Sequence, residues 1–467
     1  VERKLAAVNS YKSSGPDEIP NWILHDFSRW LTEPVCAIFN ASIREGIVPK
    51  LWKCANVVPL PKVSPPISIE SDLRPISLTP TLSKILESFI GGWIFDEVGA
   101  KIDKRQFGAM RGRSTTHALL DILHHWQQAL NNNHSVRVVF IDYAKAFDHV
   151  DHTIVINKLR NLGVSNVLLR WVCSFLCQRQ QRVKLSDVFS DWLQLKGSMP
   201  QGSWLGPLTF IILINDLSAS CLIHKYFDDT TLSEFISVDQ PSFMNLHIAD
   251  VLDWSRLNLM NINWSKTKEM LVGGLSKQSP PLLNVDGNVV QRVSVFKLLG
   301  VSINSDLKYD SHVNAICSKA SSRLYFLNLL KRSAMSVDDL IHFYVSYILP
   351  VLEYACPVWH TSLNKEQTRR LEAIQRRALS IIVGRCEYSN YCAVNNFPTL
   401  HDRREALCKS FFTSILSNDN CLHYLLPPPR HSEAVFKLRN FNEYVSDTPR
   451  TERYRQSFLP YALEHYQ

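Results

Sequence analysis

The stretch KYFDDTTL, residues 225–232, sets two adjacent carboxylates, Asp228 and Asp229, directly behind two aromatic residues. A third carboxylate, Asp142, closes the apolar run VRVVFID at 136–142. Flanked by Phe140 and Ile141, a charged group there is costly to bury unless a cation pairs with it. The run offers no lysine or arginine next to it. Carboxylates from two neighbouring strand ends suit Mg2+, which takes octahedral oxygen ligands and leaves positions for water and substrate phosphates. Two such ions, about 3.5–4 Å apart, would lower the pKa of an attacking hydroxyl and stabilise a leaving pyrophosphate. The spacing alone also fits a plainer reading, since aspartate is common at helix caps and turn tips.

Other residues suit phosphate chemistry. PQGSWLGPLTF, 200–210, reads as a tight Pro-Gln-Gly turn feeding a buried helix, apt for close backbone approach to a ligand. WSKTKEML places Lys266 just past a helix, and FKLLG at 296–300 follows as a further strand. Arg74, Lys84, Arg111 and Arg113 cluster in the N-terminal part. Singly each reads as a surface charge; together they fit groups around a nucleotide triphosphate.

The elements that must position these residues follow from periodicity. Apolar residues from Trp22 to Ile43 recur at helical spacing until Gly46 stops them. A proline-rich stretch with short strands covers 55–80, and a helix with Thr81 or Ser83 as its cap follows. THALLDILHHWQQAL is an amphipathic helix, and VRVVFID a buried strand. CLIHKYFDDTTLSEF reads as a hairpin with Asp228-Asp229 at its tip, and VSVFKLLGVSIN as a strand pair. From 306 onward the pattern is helical. IHFYVSYILPVLEYACPVW reads as a buried helical pair broken at Pro350, because His342, Glu353 and two prolines interrupt any membrane span. In the helix around 365–383, Leu371, Ile374, Ala378 and Ile381 form one face. Arg369, Arg370, Arg376 and Arg377 form the other, read first as a solvated face.

The chain has 467 residues, long enough for two or three packed regions, and at 45% hydrophobic and 20% charged it is globular, not disordered. A net charge of +8 permits a polyanionic partner without requiring one. Eleven scattered cysteines fit reduced thiols. Cys386, Cys392, His401 and Cys408 are spaced too unevenly for the common zinc modules and read as ordinary thiols. The polar N-terminal stretch has no secretory signal. A soluble intracellular protein with no membrane association is expected.

Eight motifs in order now carry a resemblance: SSGPDEIP, LRPISL, QFGAMRGRST, FIDYAKAFDHVDH, PQGSWLGPL, YFDDTTL, NWSKTKEM and FKLLGV. Together, over about residues 12–301, they are similar to the reverse transcriptase of non-LTR (LINE-type, jockey-like) retrotransposons. The resemblance implies an α+β right-hand polymerase fold, with fingers, a palm of antiparallel sheet and packed helices, and a helical thumb. It suggests an N-terminal helical extension at 1–50, fingers at 51–134, palm at 135–305, thumb at 306–410 and a tail at 411–467. It implies an RNA-directed DNA polymerase that adds dNTPs to a DNA primer on an RNA template, with two Mg2+ ions or Mn2+ in their place. Such an enzyme is expected in nucleus and cytoplasm, in a ribonucleoprotein with its element RNA.

The same resemblance assigns Asp142, Asp228 and Asp229 to the metals and Lys266 to protonation of the leaving pyrophosphate. Tyr143 flanks the first metal through its backbone, and Phe147 is the aromatic gate against a ribose 2′-OH, which disfavours an RNA-dependent RNA polymerase. Gln201 and Gly202 meet the incoming nucleotide, and Arg74 and Lys84 clasp its triphosphate. FKLLGV, with Lys297, resembles a primer grip, and the arginines of 369–377 then track the template–primer backbone. Asp148 and Asp151 are read as structural. Four residues depart from the family pattern: Glu18 for a glycine, Met110 for a lysine or proline, Trp204 and Phe227 for small residues. Phe227 is expected to slow or misalign catalysis, so the alternative is an impaired remnant that only binds nucleic acid. With the family's endonuclease domain and any RNase H segment missing, the chain is expected to be the polymerase portion.

Overall fold

The computed structural model describes residues 1–195, 197–275, 280–384, 397–429, 444 and 448–467. Near the N-terminus the expected single helix is two, α1 (Asn21–Asp26) and α2 (Ser28–Glu45), separated by Phe27 with φ −98° and ψ 18°. Gly46 ends α2 in the left-handed conformation, at φ 67°, as its position after the periodic run predicts. Leu24, Val35 and Phe39 bury their side chains, while Trp22 and Ile38 stay about half exposed.

Strands β1 (Cys54–Pro61) and β2 (Leu73–Leu78) pair antiparallel. Helix α3 (Thr81–Val98) follows, capped by neither Thr81 nor Ser83. Its flanking residue is Pro80, which has no side-chain acceptor; the Thr81 hydroxyl donates to Asn21 and that of Ser83 to Glu87. Helix α4 (Thr115–Asn131) is capped by Ser114, whose side chain accepts from the His117 N–H.

The apolar run after α4 becomes β3 (Ser135–Ile141). Helices α5 (His152–Asn161) and α6 (Asn166–Leu176) lead to β4 (Gln180–Leu185) and the short strands β5 (Val188–Phe189) and β6 (Leu193–Gln194). Strand β4 runs parallel to β1, so this lobe's sheet has the order β2-β1-β4-β5, with β6 also on β4. Helix α7 (Leu205–Ile214) is apolar all round and almost wholly buried, as a helix with no solvent face must be.

β7 (Leu222–Tyr226) and β8 (Asp229–Ile236) form the expected hairpin. After α8 (Met244–Leu257) come β9 (Lys268–Val272), a two-strand ladder of β10 (Asn284–Val285) and β11 (Asn288–Val289), and β12 (Gln291–Arg292). The central sheet has the order β12-β9-β3-β8-β7, with β3 antiparallel to both neighbours. Alternate residues of a strand face opposite sides. Val136, Val138 and Phe140 therefore enter one core, with α4 and the C-terminal helices, while Val139 and Ile141 enter a second with α6 and α7. Apolar residues on both faces explain why β3 reads as a continuous run instead of an alternation.

β13 (Val295–Leu298) and β14 (Val301–Asn304) form the second expected hairpin. The C-terminal region is built on α9 (Asp310–Arg332), α10 (Val337–Phe343), α11 (Leu349–Glu353), α12 (Lys365–Val383), α13 (Leu400–Ile415) and α14 (Phe458–His465). The helical path does not break at Pro350. A π-helical turn at Tyr344–Ile348 joins α10 to α11, and Pro350 sits in the first turn of α11, where a missing N–H costs no intrahelical bond. Val337–Val358 is long and apolar enough to cross a membrane, yet Leu340, Tyr344, Ile348, Leu349 and Leu352 are fully packed inside, as in a core helix. On α12 the buried line runs Leu371, Ile374, Ala378 and Ile382, with Ile381 only partly covered.

Candidate active site

Strand pairing brings the three carboxylates together. Thr230 on β8 pairs with Ile141 on β3, so Asp229 lies beside Asp142 at the same end of the sheet. Tyr226 pairs with Asp229, which moves the apex of the hairpin to Phe227-Asp228, one residue earlier than expected. Phe227 takes φ 55°, a backbone region that bulky residues rarely adopt. Lys266 lies in the turn that leads into β9, and its Nζ stands 3.5 Å from Asp142 Oδ2.

The electrostatics call for a cation. Burial pushes the Asp228 carboxyl above its usual range, helped by the charge of Asp142. Asp229 rises to about 6, first from burial and then from the charges of Asp228 and Asp142, against the opposing pull of Lys266. Asp142 Oδ2 is buried and has no hydrogen-bond partner among the described residues; at 3.5 Å the Lys266 contact is an ion pair, not a hydrogen bond. Carboxylate oxygens whose charges repel one another, one of them without a hydrogen bond, are the donor type that a hard divalent ion takes. Beside them a cleft of 390 Å³ is lined by Asp142, Asp229, Lys266, Lys268 and Lys297.

The chain matches the family described as "Reverse transcriptase (RNA-dependent DNA polymerase)" over residues 60–303, just over half its length. It belongs to that family. The largely antiparallel central sheet with its packed helices, the β-lobe built from β1, β2 and β4–β6, and the C-terminal helices make up the family's right-hand polymerase fold. The chain is 26% identical over 411 residues to the probable RNA-directed DNA polymerase from transposon BS of Drosophila melanogaster, covering 83% of this chain and 45% of that one. With the RNA-directed DNA polymerase from mobile element jockey of the same organism it shares 23% identity over 442 residues, 90% of this chain and 48% of the other. The chain thus spans a little under half the length of these curated relatives. Among solved structures, telomerase from Candida albicans aligns with a TM-score of 0.41 and 10% identity, over 81% of this chain and 68% of that one. That likeness is too distant to carry an argument.

Other residues singled out in the sequence have contacts of their own. Phe147 stacks on Phe210 at 4.7 Å and stands 6.4 Å from the Phe227 ring. Gln201 donates through Nε2 to Asp148 at 3.4 Å, and its carbonyl accepts from the Ser77 N–H at 2.8 Å. Gly202 has φ 129°, and a Cβ there would lie 2.6 Å from the Ser77 carbonyl oxygen, so only glycine fits between β2 and α7. The Tyr143 side chain is turned into the core, where its hydroxyl meets Ser255 at 3.3 Å, which leaves only its backbone facing the site. Phe296, next to Lys297, stacks on Phe140 at 3.9 Å and fixes the β13–β14 hairpin beside the cleft.

Arg74 is exposed on β2 opposite Leu60, whereas Lys84 is half-buried on α3, its pKa pushed down by burial. The arginines of α12 belong to the C-terminal helices. Arg369 pairs with Glu366 and Arg370 donates to Asn314, while Arg376 and Arg377 are exposed. Asp151 caps α5, in line with a structural role. Cys386 and Cys392 lie outside the described residues; Cys408 is buried.

The departures from the family pattern are accommodated locally. Glu18 takes φ 57°, the conformation that a glycine would adopt freely. Met110 and Trp204 line one cavity of 740 Å³, and the Trp204 ring lies so close to Gly91 that a Cβ there would meet it at 2.1 Å. Sequence reasoning missed Glu87, fully buried on α3, whose Oε2 accepts from the Ser203 hydroxyl at 2.7 Å and the Trp204 N–H at 2.8 Å. A carboxylate at that helix start fixes α7 and the Gln201-Gly202 turn before it. Its signal was a glutamate inside the apolar run of α3. Away from the site, Asp121, His125 and His224 come close enough to hold an ion. They are already engaged there: His224 meets Asp121 at 3.0 Å, His125 bonds the Asp121 carbonyl, and Tyr424 donates to the Asp121 carboxylate.

Proposed function

We propose that the chain is the RNA-directed DNA polymerase of a mobile element, extending a 3′-OH primer with dNTPs on an RNA template. The observation that carries this reading is the junction of β3 with β8, where Asp142, Asp228 and Asp229 share one end of the sheet and one carboxylate oxygen, beside Lys266, has no hydrogen bond among the described residues. These three residues would hold two Mg2+ ions, with Mn2+ as a substitute. Such ions, when bound, supply the positive charge that activates the primer hydroxyl and stabilises the departing pyrophosphate. Lys266, on the rim of the same cleft, holds a proton on Nζ that it can deliver to the leaving oxygen. Phe147, packed against Phe210, walls the site where a 2′-OH would stand. The backbone of Tyr143 and the Gln201-Gly202 turn meet the nucleotide, with Arg74 and Lys84 toward its phosphates. Lys297 and the α12 arginines Arg369, Arg370, Arg376 and Arg377 would follow the nucleic-acid backbone.

In this reading residues 51–134 are fingers, 135–305 palm and 306–410 thumb, with the β4–β6 strands of 180–194 carried from the palm segment onto the finger sheet. The template partner is the element's own RNA, in a ribonucleoprotein. The test is primer extension on an RNA template by the purified chain beside Asp228→Asn. Template-dependent DNA synthesis is expected, with at least about 100-fold loss in the variant. Synthesis that survives Asp228→Asn removes the metal assignment. Phe227, in its strained turn, favours a second reading as an impaired binding remnant. Primer–template binding without synthesis by the unaltered chain would establish that one.

A further inference from the structure

The segment Arg105–Gly108 lies along the free edge of β7, the outermost strand of the central sheet. The Lys225 N–H donates to the Arg105 carbonyl at 2.9 Å, and the Phe107 N–H donates to the Lys225 carbonyl at 2.8 Å, a parallel bridge centred on Gln106 and Lys225. Gln106 is fully buried. Its Oε1 accepts from the Phe227 N–H at 3.2 Å and from the Gly108 N–H at 2.9 Å. Two backbone donors on one side-chain oxygen fix which way the amide points, and they leave Nε2 buried without a hydrogen-bond partner among the described residues. Such a buried donor without a hydrogen bond is costly, so the geometry it accompanies calls for a reason.

Gly108 completes the fit. A Cβ at this position would stand 2.5 Å from the Phe227 backbone nitrogen and 2.7 Å from its ring carbon Cδ2. The Phe227 ring therefore lies over Gly108, and any larger residue at 108 must move the turn's own backbone. The segment is anchored on both sides. Lys225 Nζ pairs with Asp103 at 2.7 Å, and the Arg113 guanidinium donates to the carbonyls of Lys104 and Gln106 at 2.8 and 2.6 Å.

We infer that Gln106 and Gly108 are positioning residues that clamp the Phe227-Asp228 turn and so set where the Asp228 carboxylate stands. This rests on the polymerase reading for its catalytic meaning, though not for its structure. The part of Phe227 that the clamp grips is its backbone N–H, with the ring lying over Gly108.

Two variants of the full chain test it, Gln106→Met and Gly108→Ala, by amide hydrogen exchange and by primer extension. Each should speed exchange of the Phe227 amide at least about tenfold while β3 amides stay protected. Each should lower extension at saturating dNTP by about 100-fold, as misplacement by an ångström does, with the dNTP KM within about twofold. Because the nearest atom to a Cβ at 108 is backbone, Phe227→Ala should not rescue Gly108→Ala. Unchanged exchange at Phe227 overturns the clamp, and rescue by Phe227→Ala reduces it to side-chain packing and overturns it equally. Should one variant lose protection throughout β3, the other decides by the same readouts. If the unaltered chain synthesises no DNA, the polymerase reading falls and the exchange data still decide the clamp.

Discussion

Asp229 shows how a single residue couples protonation to stability. Its carboxyl ionises at about 6 in the folded chain, against an ordinary 3.8. Between those values the folded chain keeps a proton that the unfolded chain has released. The stabilisation is therefore complete below about pH 4 and is lost as pH rises through 6. Asp229→Asn imitates the protonated form. Above pH 6, without divalent ions, it should melt about 2–4 °C above the unaltered chain, and near pH 4 the two should coincide. Added Mg2+ should raise the melting temperature of the unaltered chain alone; melting curves from pH 4 to 8 would show this, and a gap that does not widen with pH would refute the shift. Phe147 carries the second prediction at this scale. Phe147→Ala should admit NTPs at least about tenfold better relative to dNTPs, and an unchanged ratio in competition assays would remove its gate role. That Asp142, Asp228 and Asp229 would meet at one end of a sheet was legible from the apolar run before Asp142, the hairpin pattern around the other two and the motifs they stand in. Gln106 and Gly108 were not, since their partner Phe227 is far along the chain and only the pairing of 105–107 with β7 brings it near.

At the scale of elements, hairpins and buried strands announced themselves through periodicity, and their junctions did not. The register of β7 against β8 shifted the tip by one residue, a matter of one extra ladder pair, Tyr226 with Asp229. The apolar run around Pro350 predicted a break. The π turn just upstream absorbs the proline instead, because the buried side chains on either side share one core. The β13–β14 hairpin depends on the Phe296–Phe140 stack, whose rings lie 6° from parallel. Phe296→Ala should cost about 2–4 kcal/mol in chemical denaturation and weaken primer–template binding, with central-sheet secondary structure retained in circular dichroism. A loss under 0.5 kcal/mol would show that the hairpin is held elsewhere.

Across the whole molecule, distant parts of the chain meet at Asp121. This carboxylate on α4 is fully buried and receives His224 from β7 and Tyr424 from the segment after α13. Nothing in the spacing of these three residues along the chain foretold the contact, whereas the α+β class followed from the ordered motifs and the family they resemble. Tyr424→Phe removes one donor from a buried acid. It should cost about 1–3 kcal/mol and expose 419–426 to limited proteolysis before the central sheet is cut. Cleavage kinetics identical to the unaltered chain would show that the contact does not tie the C-terminal part down.

β3 is a wall common to both hydrophobic cores, with Val136, Val138 and Phe140 on one side and Val139 and Ile141 on the other. A partition that belongs to two rooms cannot be removed from one of them. Neither core can melt while the other keeps its full lining, so the two should denature as one cooperative unit, with Asp142 at the strand's end among the last groups to lose its place.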